Sequence, residues 1–329
     1  YAGIKINDLR CISFYEEPFL KLNRILNTKL NHESNFFSFK NSTKSWIENK
    51  FFVEEKIFQE LDGYDGEIIF YPHHLSHAAS AFFTSPFKQS SVLVIDAIGE
   101  WACTSIGLGE DSNVEIIQEQ RFPHSLGLFY STFTQYLGFK VDSGEYKVMG
   151  LAPYGTPIYK DLIKDNVISI NDLGVIEINT EYFDFFMGKR MISNKLEELF
   201  DIQMRKSGEE LKTFHFDLAS SIQEITEEAV QSMVGYCIKQ TGVKKLVMAG
   251  GVALNCVSNG KLLKNNIVDD LWIQPCAGDA GGSLGAALLA SHHHLKIPRH
   301  HSHHDSQKGS YLGPSFSRKE ILKTCDAFN

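Results

Sequence analysis

Apolar residues along this chain switch repeatedly between the 3.6-residue spacing of helices and the short dense runs of strands. Near the start, ISFYE reads as a short strand, and PFLKLNRILNTKL as an amphipathic helix with proline in its first turn. A helical stretch over residues 45–61 and the strand EIIFY follow. HLSHAASAFFTS has the alanine content of a well-packed helix and ends near Pro86. The runs SVLVIDAIG, ACTSIGLGE and NVEIIQEQRF, broken at GEW and EDSN, predict a three-stranded antiparallel meander. LGLFYSTFTQYLG reads as a helix, GEYKVMGLAPYG as a segment bounded by glycine and proline, and VISINDLGVIEIN as a hairpin around Asn171 and Asp172. A long amphipathic helix covers residues 217–240. The remainder, KLVMAGG, ALNCVSNGKLLKN, DLWIQPCAG and GGSLGAALLASHH, alternates strand and helix, which predicts parallel strands with right-handed crossovers.

In such a sheet ligands sit at the carboxyl ends of the strands, and here those ends carry Asp96, Gly250 with Gly251, and Gly278 with Asp279. Three strand ends are therefore expected to meet at one crevice. In MAGGVALN the two glycines let backbone N–H groups approach a phosphate or a nucleotide ring, with Asn255 one turn into the next helix. A tight turn without a ligand is the plainer reading of one such pair. Asp96 could bind a metal directly or through water, accept a proton from a hydroxyl, or cap the turn at residues 97–99. In YPHHLSHAASAFF, His73 and His77 stand one helical turn apart, so both imidazoles can face one point; the same spacing also arises with one ring packed and one exposed. Joined by Asp279, they make a two-histidine, one-carboxylate set that can hold a divalent metal and leave positions open.

The 329 residues (37.1 kDa, 43% hydrophobic) can bury a large core and suggest two domains or one duplicated fold. A net charge of −8, without a Lys/Arg block, argues against nucleic acid as the main partner. The apolar stretches fall short of the about 20 residues needed to cross a bilayer, and no signal peptide opens the sequence, so no membrane partner and a cytoplasmic location are expected. Six scattered cysteines without CxxC spacing, most of them in apolar strand or helix patterns, read as buried reduced thiols. Seven of the thirteen histidines (His292, His293, His294, His300, His301, His303, His304) crowd into SHHHLKIPRHHSHHDSQKGS, which lacks apolar framing and reads as a solvated linker prone to adventitious nickel or zinc binding. The chain opens without methionine and stops within a helical pattern, so it is expected to be a piece of a longer protein.

The stretches HHLSHAASAFFTSPF, VLVIDAIGEWACTSIGLG, PHSLGLFYSTFTQYLGFKVDSGEYKVMGLAPYG, MAGGVALNCVSNGKLL and IQPCAGDAGGSLGAAL strongly resemble the amino-terminal domain of the O-carbamoyltransferases of nodulation-factor and antibiotic biosynthesis. That domain is similar to the universal tRNA threonylcarbamoyl-transfer protein. The resemblance runs over nearly the whole chain, including FYEEPFLKLNRIL and YLGPSFS. It implies an α/β protein of duplicated actin/sugar-kinase-like (ribonuclease H-like) fold, with two subdomains around a nucleotide cleft. Residues 1–88 would be the remainder of the first subdomain, lacking its amino-terminal strands, and 89–294 the second. Residues 295–310 would be the His-rich linker, and 311–329 the start of a truncated YrdC-like domain.

The implied chemistry is carbamoyl transfer from carbamoyladenylate to a hydroxyl of a sugar, an aminoglycoside-like compound or another small acceptor. The carboxy-terminal domain makes that donor from carbamoyl phosphate and ATP. Carried across, the metal ligands fall on His73, His77 and Asp279, for Fe2+ first and Mn2+ or Zn2+ otherwise. The nucleotide contacts fall on Asp96, Gly251 and Asn255; Gly127, Lys147 and Gly250 are further expected contacts beside them, and His73, His77 and Asp96 are the expected catalytic groups. Lys147 would steady a phosphate or pack its stem beneath the site. The family's amino-terminal hairpin, with an aspartate and a histidine, has no counterpart in the sequence, nor does most of the second domain; this chain is not expected to activate carbamoyl phosphate itself. A homodimer is compatible with the resemblance. Two alternatives stay open: a tRNA-modifying relative, disfavoured by the negative charge, and a silent acceptor-binding module. A hydrogenase-maturation carbamoyltransferase shares a similar HHxxH but should carry zinc-finger cysteines not seen here.

Overall fold

The computed structural model describes residues 3–31, 51–187, 190–300 and 307–328. Strand β1 (Cys11–Phe14) pairs in parallel with β2 (Glu67–Phe70), Cys11 opposite Glu67 and Phe14 opposite Phe70. A parallel pair needs a long crossover, and helices α1 (Pro18–Asn31) and α2 (Val53–Glu60) lie within it. Part of the helix expected over 45–61, namely 45–50, falls outside the described residues. Two residues after β2 begins α3 (His73–Thr84), a helix of alanine, serine and aromatic residues buried along nearly its whole length.

Strands β3 (Gln89–Ile95), β4 (Ala102–Glu110) and β5 (Asn113–Arg121) form the expected antiparallel meander. Then come α4 (Leu126–Tyr136), α5 (Glu145–Leu151) and α6 (Lys160–Asn166), the hairpin β6 (Ile168–Ile170) and β7 (Ile176–Ile178), α7 (Asn194–Phe200), and the long α8 (Thr213–Thr241). The chain returns to the main sheet with β8 (Lys245–Ala249), α9 (Cys256–Lys264) and β9 (Asp270–Ile273), and leaves it through α10 (Gly282–Leu289) and α11 (Arg318–Ala327). The sheet order is β5-β4-β3-β8-β9, with β3, β8 and β9 parallel. A meander extended by two parallel strands beyond its first strand is the ribonuclease H-like α/β arrangement the resemblance implied.

Central β3 is buried from Ser90 to Ile95 because both faces are covered. Its alternation sends Val92 and Val94 to a cluster with Phe82 and Phe83 of α3, Val247 and Leu289. Leu93 and Ile95 face the larger core with Phe129 and Phe133 of α4 and Ile222 and Met233 of α8. Helix α10 lies so close to α3 that a Cβ on Gly285 would come 1.8 Å from the Ser76 carbonyl oxygen.

Of the thiols expected to be buried, Cys103 and Cys237 are, but Cys256, Cys276 and Cys325 are exposed. Three elements also differ from expectation. Helix α8 starts before residue 217, where the His215 ring accepts the Lys212 N–H at 2.8 Å and holds the first turn. The GEYKVMGLAPYG segment is helical over α5, since the Glu145 carboxylate accepts the N–H groups of Asp142 and Gly144 at its entry. The His-rich stretch is not solvated throughout: the His292 ring packs 4.6 Å from Phe83, and Arg299 is buried. The Arg299 guanidinium donates to the carbonyls of Phe82 (2.8 Å), Ser85 (2.6 Å) and Phe87 (3.0 Å), closing the carboxyl end of α3 with a cation. No helix among the described residues is long and apolar enough to cross a membrane.

Candidate functional site

Pro72 ends the approach from β2 in extended backbone, so α3 starts at His73 and its first turn carries both histidines on one face. Their rings are buried and lie 85° apart in plane, with Nε2 atoms 3.0 Å from each other. Asp96 is the first residue beyond β3, and its Oδ2 lies 3.2 Å from His73 Nε2 and 3.7 Å from His77 Nε2. Asp279 opens the single 3-10 turn before α10, with Oδ1 3.4 and 3.5 Å from the same two nitrogens. Its side chain is 64% exposed, so it stands at the mouth of the cluster.

These distances bear on whether an ion fits. Two ligands each about 2.1 Å from an ion stand about 3.0 Å apart at a right angle and about 3.4 Å apart at a tetrahedral angle. The five nitrogen–nitrogen and nitrogen–oxygen separations above run from 3.0 to 3.7 Å. All four donor atoms fall within 4.8 Å of one another. Two imidazole nitrogens and two carboxylate oxygens suit iron, manganese or zinc. The residues fit a divalent ion, and Asp96 stands with the three ligands expected from the sequence.

Burial disfavours charge on His73, but its bonds to Asp279 and Asp96 outweigh that and lift its pKa to about 9. His77 is raised in the same way. Burial would push Asp96 up, yet the bonds to His73 and His77 hold it well below the usual carboxylate range; the same bonds depress Asp279. Such a carboxylate stays ionised and keeps its oxygens available to a cation. In ion-free protein the contribution of His73 to stability is full below its unfolded value of 6.5 and is lost as pH rises through about 9, and that of His77 is likewise lost above its unfolded value. The carboxylates' contribution is full above 3.8 and is lost only as pH falls through their depressed values. Ion binding must displace the histidine protons and should tighten over the interval in which ion-free stability falls. Urea unfolding with EDTA should therefore give a higher midpoint at about pH 6 than at about pH 9.5, and added Mn2+ should raise the midpoint more at the higher pH. A Mn2+ effect that does not grow with pH would contradict this protonation scheme.

The glycine turn differs from expectation. Gly250 has φ 89°, and a Cβ there would lie 2.3 Å from the Ile95 carbonyl oxygen. Its N–H donates to the Ala277 carbonyl at 2.8 Å, while the Gly251 N–H donates to Asp96 Oδ1 at 2.9 Å. Both N–H groups are thus committed within the protein; what exposed Gly251 offers a ligand is space. Gly127 lets α4 abut the turn after β3, since a Cβ there would meet the Ala97 nitrogen at 2.6 Å. Asn255 caps α9 by accepting the Ser258 N–H at 3.0 Å and exchanges amide hydrogen bonds with Gln223. Gln223 in turn binds Tyr130 and Glu227, a buried polar network that the sequence reading missed. Lys147 is exposed, and its ammonium lies 5.8 Å from the ring centres of Phe139 and Tyr146.

Three further residues near the cluster also escaped that reading. The Tyr15 ring stands 5.7 Å from that of His73, and burial, Glu16 and Asp279 together raise its pKa. Burial and the charges of Glu145, Asp279 and Asp96 likewise raise Asp142. Glu100 accepts the His73 N–H. The motifs FYEE, DSGE and GEW held these residues, but a lone tyrosine or acid in a turn carries no spacing signal.

A family model described as the carbamoyltransferase N-terminus matches residues 1–288. The chain is 43% identical to the uncharacterized protein sll1178 of Synechocystis over 97% of this chain and 53% of the relative. It is 37% identical to nodulation protein NolNO of Sinorhizobium fredii over 88% of this chain and 40% of that protein. Nodulation protein NolO of Bradyrhizobium diazoefficiens is 40% identical over 67% and 38% respectively. The chain thus spans about half the length, or less, of these relatives. Among solved structures, HypF of T. kodakarensis overlaps with a TM-score of 0.40 at 13% identity, over 74% of this chain and 39% of that one.

Proposed function

The chain belongs to the carbamoyltransferase family, where it corresponds to the amino-terminal part, and from that premise we propose that it moves a carbamoyl group from carbamoyladenylate to a hydroxyl of a small acceptor such as a sugar. The observation that carries the reading is the convergence of His73, His77, Asp96 and Asp279 at ligand spacing, beside a strand end and a glycine turn. The transfer joins the acceptor oxygen to the carbamoyl carbon, breaks the bond from that carbon to the phosphate oxygen, and releases AMP and the hydroxyl proton. A divalent ion, Fe2+ or else Mn2+ or Zn2+, would neutralise charge on the phosphate and polarise the carbamoyl oxygen.

The chain's own residues do the rest. His73 and His77 present neutral nitrogens once their protons leave, and Asp96, fixed by the Gly251 N–H, keeps one oxygen turned toward them. Asp279, at the mouth, is the ligand nearest solvent and so nearest an arriving substrate. Exposed Gly251 and Lys147 are the proposed nucleotide contacts, while buried Gly127, Gly250 and Asn255 shape the turn and helix ends beneath them. The carbamoyl donor would come from carbamoyl phosphate and ATP through the family's carboxy-terminal domain, and the proton leaves to solvent or to the phosphate rather than to Asp96.

The test is calorimetric titration of AMP into metal-stripped chain, with and without Mn2+. His300, His301, His303 and His304 are replaced by serine so that the ion counted is the one in the cleft. AMP binding that requires Mn2+ is the expected result; no binding in a folded, Mn2+-supplied chain would overturn the reading.

A further inference from the structure

Helix α3 has no side-chain cap of its own, since Pro72 precedes it. The group that closes its entry comes from the turn between β3 and β4, 27 residues away in sequence: the Glu100 carboxylate, which is 6% exposed. Oε1 accepts the backbone N–H of His73 at 3.0 Å and that of Glu17 at 2.8 Å, while Oε2 accepts the His73 N–H at 3.1 Å. A carboxylate at a helix amino terminus is favourable for the orphan N–H groups and for the helix dipole. Here the N–H it holds belongs to one of the proposed ligands.

The same turn holds Asp96 four residues earlier. Its shape is set by two backbone bonds of 2.9 Å, Asp96 N–H to Cys103 O and Gly99 N–H to Ala102 O. Gly99 lets the turn rest on the imidazoles, for a Cβ there would lie 3.1 Å from His73 and His74 side-chain atoms. One short loop thus carries an oxygen donor at one end and the anchor of the nitrogen donors at the other. The Glu17 bond adds the segment beside Tyr15, whose ring faces His73. We infer that Glu100 is a positioning residue for the His73–His77–Asp96–Asp279 cluster, fixing where α3 begins relative to Asp96. This inference rests on the metal reading of that cluster. Glu100 touches no proposed substrate and lies outside the donor set; it acts through the backbone of His73.

The experiment uses the intact chain, with Mn2+ affinity read by calorimetry and the coordination of added Co2+ by its visible absorption. Outer groups that orient metal ligands typically contribute 10- to 100-fold in metal affinity. Glu100→Ala is expected to weaken Mn2+ binding by about that factor and to change the Co2+ spectrum. Glu100→Gln keeps an oxygen that can accept both N–H groups and should stay within about fivefold of the parent, whereas Glu100→Asp keeps the charge but falls short and should resemble the alanine variant. Should Glu100→Ala not fold, the order of Gln over Asp decides: reach matters here, charge alone does not. Parent-like affinity and spectrum in Glu100→Ala, or Asp binding as well as Gln, would overturn the assignment. Parent protein that binds no Mn2+ would instead overturn the metal reading, a separate outcome seen before any variant is compared.

Discussion

Asp279→Ala is expected to leave the chain folded while abolishing Mn2+-dependent binding of AMP. The two halves of this expectation have different physical sources. The Asp279 side chain is 64% exposed, so truncation opens no cavity, and its ion-free attraction to the histidines is screened by solvent; the loss of stability should be about 1 kcal/mol or less. Its oxygen is nonetheless one of only two carboxylate donors, 3.4 and 3.5 Å from the two imidazole nitrogens. Loss of a direct ligand should exceed the loss from an orienting group, so Mn2+ affinity should fall more than about 100-fold. Calorimetry with Mn2+ and then AMP, beside a urea curve for each protein, reads both quantities. Unchanged AMP affinity in Asp279→Ala would remove this residue from the site.

Gly285→Ala should have the largest effect on stability, about 3 kcal/mol, together with weakened Mn2+ binding. The added carbon would sit 1.8 Å from the Ser76 carbonyl oxygen and 2.9 Å from the Ser80 nitrogen, both backbone atoms of α3 that no rotamer change can move aside. The helices must separate, and each carries part of the cluster: α10 starts three residues after Asp279, and Ser76 directly precedes His77. Gly260→Ala in α9 is the matching control. Nothing lies within 4 Å of a Cβ there, so better helix propensity should stabilise the chain by about 0.5–1 kcal/mol. Urea midpoints shifted in opposite directions by the two substitutions would support the close approach of α10 and α3; equal small shifts would contradict it.

The meander, the hairpin at Asn171 and the parallel βαβ returns were legible because hydrophobic period and turn chemistry are local properties. His73 and His77 were legible as a pair for the same reason, and the strand-end rule was enough to bring Asp96 and Asp279 to them. What escaped depends on partners far apart in the chain. Glu100 holds His73 across 27 positions, and Gln223 meets Asn255 across 32. The Gly250 and Gly251 N–H groups looked free for a ligand until the Ala277 carbonyl and the Asp96 carboxylate were seen to take them. Arg299 was hidden by its neighbours: histidines and a proline gave its segment the composition of a linker, while its own side chain reaches three carbonyls at the end of α3.

That anchorage limits how far the last helix can stray. With Arg299 fastened to the end of α3, helix α11 begins only 19 positions later, at Arg318. A chain of that length spans at most about 65 Å whatever its conformation. Leu322 and Ile321, both about half exposed on α11, therefore travel with α3 and cannot part from it by much more than that distance.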